Sequence, residues 1–198
     1  MRKPKRPQLP VVGLIGPTNL RRISEASGIP ERTYRDLAYE AGRTIAECGA
    51  MLAVVPDRGI AVTGMRGYRD AHGPWTIGLV PDGGPSDTVA TPNCVENAAA
   101  CDEILDGFTW HHQHAAICEL SNLLLCVGLS CGTMAEIAWT KWVHGPRVLV
   151  LRETISLIPK EILAETDVVF IDDLKALKGA VQAALTGPKS LQNKPVGA

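Results

Sequence analysis

The sequence predicts an α/β fold, a doubly wound and mainly parallel sheet with helices on both faces. Short aliphatic or β-branched runs alternate with longer segments of helical spacing, the pattern of βαβ units. Those runs are apolar throughout, as strands covered on both faces must be. Turns rich in glycine, proline and small polar residues close them, as in Gly16-Pro17-Thr18-Asn19. With 198 residues and 21.2 kDa, the chain has material for one core and no second domain.

Taken in order, Val11 to Ile15 is a first strand, and the turn Gly16 to Asn19 ends it. A helix from about Arg32 to Glu47 carries Leu37, Ala38, Ala41, Ile45 and Cys48 on one face, and Gly49 stands where it should stop. Met51 to Val55 is the second strand. Gly59 to Ala71 has helical spacing despite its glycines, and Trp75 to Val80 is a third strand ending at Pro81-Asp82-Gly83-Gly84. Pro85 to Asn93 reads as a surface loop. A weak strand near Glu103 to Leu105 and a helix near His112 to Leu120 precede the most apolar run, Leu123 to Val127, which should be the central strand. Gly132 to His144 reads as a helix, Arg147 to Leu151 and Val168 to Ile171 as strands, and Asp173 to Leu185 as the closing helix. The domain is expected over 11–186, between a basic flexible tail, 1–10, and a frayed tail, 187–198.

Composition narrows the function. Hydrophobic residues make up 45% and charged residues 21%, with a mean hydropathy of +0.06, as in soluble globular domains. No apolar run reaches the roughly 18 residues a bilayer span needs, and the basic N-terminus lacks an apolar segment behind it, so no membrane association and a cytoplasmic location are expected. The net charge is -1. Setting aside Arg2, Lys3, Lys5 and Arg6 leaves 16 basic residues against 21 acidic ones, so no face for a nucleic-acid backbone is expected. The six cysteines form no C-x-x-C pair and read as reduced.

In an open parallel sheet, ligands bind beyond the carboxyl ends of strands, so the turns there are the candidate sites. The most informative is Gly128-Leu129-Ser130-Cys131-Gly132-Thr133-Met134-Ala135-Glu136, between the most apolar strand and a helix. Its glycines allow close backbone approach, the helix N-terminus favours an anion, and Ser130 and Thr133 add hydroxyls, so a phosphate is the natural guest. The alternative is a tight turn with a capping threonine. Gly16, Thr18 and Asn19 would face the same crevice if the strand order reverses beside the first strand; the alternative is an ordinary turn. Neither G-x-G-x-x-G nor G-x-x-x-x-G-K-[ST] occurs.

The stretch GLSCGTMAEIAWTKWVHGPRVLVL resembles the phosphate-binding segment of the SLOG superfamily, whose LONELY GUY enzymes carry P-G-G-x-G-T-x-x-E; Gly132, Thr133 and Glu136 match the second half. GIAVTGMRGYRDAHGPWTIGLVP is similar to a second glycine-patterned segment of that superfamily, with Gly59, Gly67, Gly73, Ile77, Gly78 and Pro81 in step. The resemblance spans Val11 to Leu151. It implies a Rossmann-like fold, a nucleotide or nucleotide-like phosphorylated ligand, and a homodimer. It also implies two alternatives for activity: a carrier, with the molybdenum cofactor a candidate ligand as in bacterial carrier-like members, or a phosphoribohydrolase that releases free base and ribose 5-phosphate from a nucleoside 5'-monophosphate.

The chain also departs from the family. Pro56-Asp57-Arg58 stands where a glycine-rich turn is usual, and Gly128-Leu129-Ser130 where the enzymes have P-G-G. Gln113 falls where those enzymes place an arginine that assists cleavage, and a neutral amide cannot replace that charge. If the chain is an enzyme, Glu136 is its candidate catalytic carboxylate, with Arg58 or Arg66 supplying the positive charge. The expected ligand-binding residues are Gly16, Thr18, Asn19, Arg58, Gly59, Gln113, Gly128, Ser130, Cys131, Gly132 and Thr133. Trp110-His111-His112-Gln113-His114 has no second cluster with metal-ligand spacing, so its histidines read as rim residues and no metal is expected. Cys131 reads as a bystander thiol. Trp139 and Trp142, three apart, are expected to pack on a neighbouring element or a second subunit.

Overall fold

Among the described residues, which a computed structural model gives as 5–82, 90–143 and 145–187, seven strands form one sheet. They are β1 (Val11–Ile15), β2 (Met51–Val54), β3 (Thr76–Leu79), β4 (Glu103–Leu105), β5 (Leu123–Cys126), β6 (Arg147–Leu151) and β7 (Val168–Ile171). All neighbours are parallel, in the order β4-β3-β2-β1-β5-β6-β7. The chain winds outward from β1 to one edge, then returns to pair Val12 with Leu123 and Ile15 with Cys126 before winding to the other. Beyond the carboxyl ends of β1 and β5 the loops therefore diverge and leave a crevice.

The strands alternate their side chains between two cores. Val12, Leu14, Leu52, Val54, Leu123 and Leu125 pack on one face with α2 (Glu31–Glu47), α3 (Ile60–Asp70) and α8 (Leu174–Thr186). Val11, Ile15, Met51, Ala53, Leu124 and Cys126 pack on the other with α5 (Gln113–Leu120), α6 (Cys131–Trp139) and α7 (Lys160–Glu165). Burial on both sides explains why these runs carry no polar alternation. The glycine-rich helix α3 forms because Gly67 stands against the Tyr39 carbonyl and Gly42 against that of Gly64, so α2 and α3 meet backbone to backbone.

Tyr68, fully buried on α3, ties this layer to the sheet. Its hydroxyl lies 2.8 Å from the Ala50 carbonyl and 3.0 Å from that of Trp75, and it accepts the Trp75 N–H at 3.1 Å. A buried phenol needs such partners.

The structure adds helices that periodicity did not reveal. α1 (Leu20–Ser27) follows β1 directly; the Asn19 side chain accepts the Arg22 N–H at 3.1 Å, and Gly28 ends the helix at φ +75°. Its eight residues bury only Leu20, too little apolar pattern to stand out. α4 (Ala90–Ala98) covers 90–93 of the expected loop, whose earlier part lies outside the described residues. The helix expected to reach His144 ends at Trp139. There the Thr140 hydroxyl donates to the Ile137 carbonyl at 2.7 Å, and Trp142 N–H turns back to Trp139 at 2.9 Å. The end of the Pro81–Gly84 turn and most of the expected C-terminal tail also lie outside the described residues. Arg6 pairs with Glu103 at 3.7 Å, and the Pro10 carbonyl accepts the Met51 N–H.

Candidate functional site

A cavity of about 490 Å³ opens between the carboxyl ends of β1 and β5. The two turns singled out in the sequence meet there. Gly16, Thr18 and Asn19 line one wall, and Ser130, Cys131, Gly132, Thr133 and Glu136 another, with Gln113 between them at the start of α5. Arg58 and Gly59 line an adjoining cavity of about 460 Å³ that shares Thr18, Asn19 and Asp57 with the first. Gly59 has φ +62°, and a Cβ there would run into the Pro17 carbonyl, so glycine brings the β2–α3 turn against the β1 turn.

Gly128 stands behind the cavity wall and is absent from its lining. At φ +84° it turns the chain away from β5, its N–H donates to Thr154 Oγ1 at 2.8 Å, and a Cβ would come within 2.8 Å of the Tyr34 ring. Ser130 caps α6: its Oγ accepts the Thr133 N–H at 3.2 Å and lies 3.0 Å from Thr133 Oγ1. Thus two amides of the 128–133 bend are bonded internally. Those of Cys131 and Gly132, in the first turn of α6, have no protein acceptor among the described residues. Unpaired donors at the positive end of a helix suit an anion. The Cys131 thiol is exposed at the same edge.

Glu136 is buried, yet it lines the cavity, and its Oε1 lies 3.2 Å from His114 Nδ1. Burial pushes its carboxyl above the ordinary value of 4.5, and the hydrogen bond and charge of His114 pull part of the way back. Gln113 is only 3% exposed and lines the same cavity; among the described residues its side chain has no hydrogen-bond partner.

Several lining residues lay outside the sequence expectation for the site. Asp57, buried at the junction of the two cavities, accepts from Asn93 Nδ2 at 3.2 Å and lies 3.6 Å from Arg58 Nε. The Pro56-Asp57-Arg58 departure was its one sequence signal. Trp110 and Arg22 also line the cavity; Trp110 sat in the histidine cluster, while nothing in the sequence marked Arg22. Of that cluster, His114 turns to Glu136, and His111 and His112 are exposed. Among the described residues no three His, Cys, Asp or Glu side chains converge on a metal site.

The family model of the SLOG cluster4 family matches residues 10–178. The chain belongs to this family. Solved structures agree on the fold. The SLOG cluster4 chain superposes on the Moco carrier protein of Chlamydomonas reinhardtii with a TM-score of 0.65 at 24% identity, covering 90% of this chain and 98% of that one. The molybdenum cofactor binding protein of Rippkaea orientalis gives 0.65 at 19% identity, covering 90% and 99%. DNA processing protein A of Helicobacter pylori, described as binding single-stranded DNA, gives 0.63 at 16%, covering 87% and 80%. No curated protein matches the sequence. For this SLOG cluster4 protein the G-T-x-x-E half-motif, Gly132, Thr133 and Glu136, lines the same crevice as the β1 turn.

Proposed function

We propose that this SLOG cluster4 protein binds a nucleotide or nucleotide-like phosphorylated ligand in the crevice between β1 and β5 and carries it intact, with the molybdenum cofactor as candidate cargo. The observation that carries this reading is Gln113: a buried, uncharged amide lines the cavity where the family's enzymes use an arginine. In that cleavage the base departs with the bonding electrons, and the negative charge developing on it gains little from a neutral amide. The Cys131 and Gly132 amides, the Ser130 hydroxyl and the Arg22 guanidinium support seating of the phosphate at the start of α6. The folds shared with two proteins named for that cofactor support the choice of cargo. The net charge of -1 favours a small ligand over a nucleic-acid backbone.

A phosphoribohydrolase is the second reading, and Glu136 favours it. A carboxyl raised by burial beside a histidine is a reasonable proton donor or water activator. Arg58 and Arg66, in the adjoining cavity, would supply the cation. Thermal melts against nucleoside monophosphates and the molybdenum cofactor test binding, and incubation with AMP followed by assay for free base and ribose 5-phosphate tests cleavage. Stabilisation without release is expected; release that vanishes in Glu136→Gln would overturn the carrier reading. A homodimer is proposed on the exposed indoles of Trp139 and Trp142, and sedimentation of the wild type beside Trp142→Ser tests it.

A further inference from the structure

Proteins rarely bury a polar side chain without a partner, because such a group gives up its bonds to water and gains nothing in return. Gln113 is 3% exposed, and among the described residues its amide bonds to nothing, while it forms part of the cavity wall. Neighbouring polar groups that line the same wall are engaged: His114 with Glu136, and Ser130 with Thr133. Three residues before Gln113 the Trp110 ring lines the same cavity, half-buried, and residues three apart on a helical turn share a face. An indole face beside an unpaired amide offers a planar ring a surface to stack on and an edge to bond.

We propose that Gln113 reads the edge of a planar nitrogen heterocycle. Its carboxamide N–H donates to a ring acceptor while its carbonyl accepts from the donor beside it, with the ring lying against Trp110. Such a neighbouring pair is presented by the lactam of a 6-oxopurine or pterin, and by the amino group of a 6-aminopurine with N1 or N7 beside it. The phosphate end then points away, to the free amides of Cys131 and Gly132 at the start of α6. This inference rests on the ligand-binding reading above and assigns the ring, rather than the phosphate, to the α5 end of the cavity. Gln113 in this role selects the ligand and takes no part in chemistry.

Calorimetric titration of the full chain with GMP, AMP and ribose 5-phosphate tests it, the sugar phosphate being a probe with no ring. Gln113→Met keeps the length of the side chain and removes both polar groups; Gln113→Glu keeps the shape and the acceptors, removes the donors and adds a carboxyl charge. In both variants nucleotide affinity is expected to fall on the order of tenfold to a hundredfold, with ribose 5-phosphate affinity unchanged in Gln113→Met. GMP bound more tightly than AMP by the wild type identifies the lactam edge, and the reverse the 6-amino group. Free of ligand, Gln113→Met is expected to melt no lower than the wild type, since it removes an unpaired buried amide. Nucleotide affinity unchanged in both variants, an equal loss for ribose 5-phosphate in Gln113→Met, or a Gln113→Met protein that melts well below the wild type would overturn the inference. Ribose 5-phosphate binding as tight as the nucleotides sinks this inference and leaves the ligand-binding reading standing, whereas a wild type that binds none of the three, and that the molybdenum cofactor does not stabilise in the melts above, sinks both.

Discussion

Glu136 Oε1 and His114 Nδ1 lie 3.2 Å apart, one on α6 and the other on α5, and both face the cavity between β1 and β5. The bond joins the family's G-T-x-x-E half-motif to a histidine that no motif marked. It also gives a buried carboxyl a neighbour on which its protonation depends.

Burial raises the folded-state value of Glu136 above 4.5, so the folded protein favours the protonated acid more than the unfolded chain does. The corresponding stabilisation is complete below the unfolded value and is lost as pH rises through the raised folded one. Glu136→Gln cannot ionise. Melting temperatures of wild type and variant, recorded in parallel from below the ordinary carboxyl range to neutrality, should therefore diverge in the variant's favour as pH rises. Parallel curves would show that the carboxyl is solvated when folded.

Thr154 holds the bend after β5. Its hydroxyl accepts the Gly128 N–H at 2.8 Å and donates to the Leu151 carbonyl at 2.8 Å, with the residue 2% exposed. Thr154→Val keeps the shape and leaves a buried N–H and carbonyl unpaired, for an expected loss of about 1–3 kcal/mol. Urea unfolding measures it, and an unchanged midpoint would mean that water replaces the hydroxyl.

At the helix start Ser130 both caps α6 and borders the cavity. Ser130→Ala should cost about 1 kcal/mol of stability through the lost cap. It should also weaken phosphate-bearing probes in titration, because the first turn that presents the Cys131 and Gly132 amides is less firmly held. A loss of stability with unaltered affinity would separate the cap from the site.

Away from the site, Tyr68→Phe removes the phenol that accepts the Trp75 N–H and bonds to the carbonyls of Ala50 or Trp75. Leaving those groups buried and unpaired should destabilise by about 1–3 kcal/mol, read as a lower melting temperature, while ligand affinity stays the same. A parallel loss of affinity would mean that α3 transmits strain to the cavity.

The strands were legible because a strand buried on both faces writes itself as an unbroken apolar run: Val11–Ile15, Leu123–Cys126 and Arg147–Leu151 stand within a residue or two of their expected places. The bend from Gly128 to Thr133 was legible as a turn between strand and helix, since glycines and hydroxyls at that place suit a tight turn and a helix cap. Short helices were not. α1 and α7 bury one residue or none, so they carry no periodicity to read.

By itself, then, the sequence determined the family, the parallel sheet and the two turns that frame the crevice. Those are properties of local pattern, set by hydrophobic spacing and by residue types the backbone requires. Only tertiary structure decided that the strand order reverses between β1 and β5, that Gly128 supports the wall while Arg58 and Gly59 line an adjoining cavity, and that His114 meets Glu136 while the Gln113 amide has no hydrogen-bond partner among the described residues. Each of those facts depends on which distant segments face one another. A side chain's burial and partners come from neighbours far away in the chain, and no local pattern encodes them.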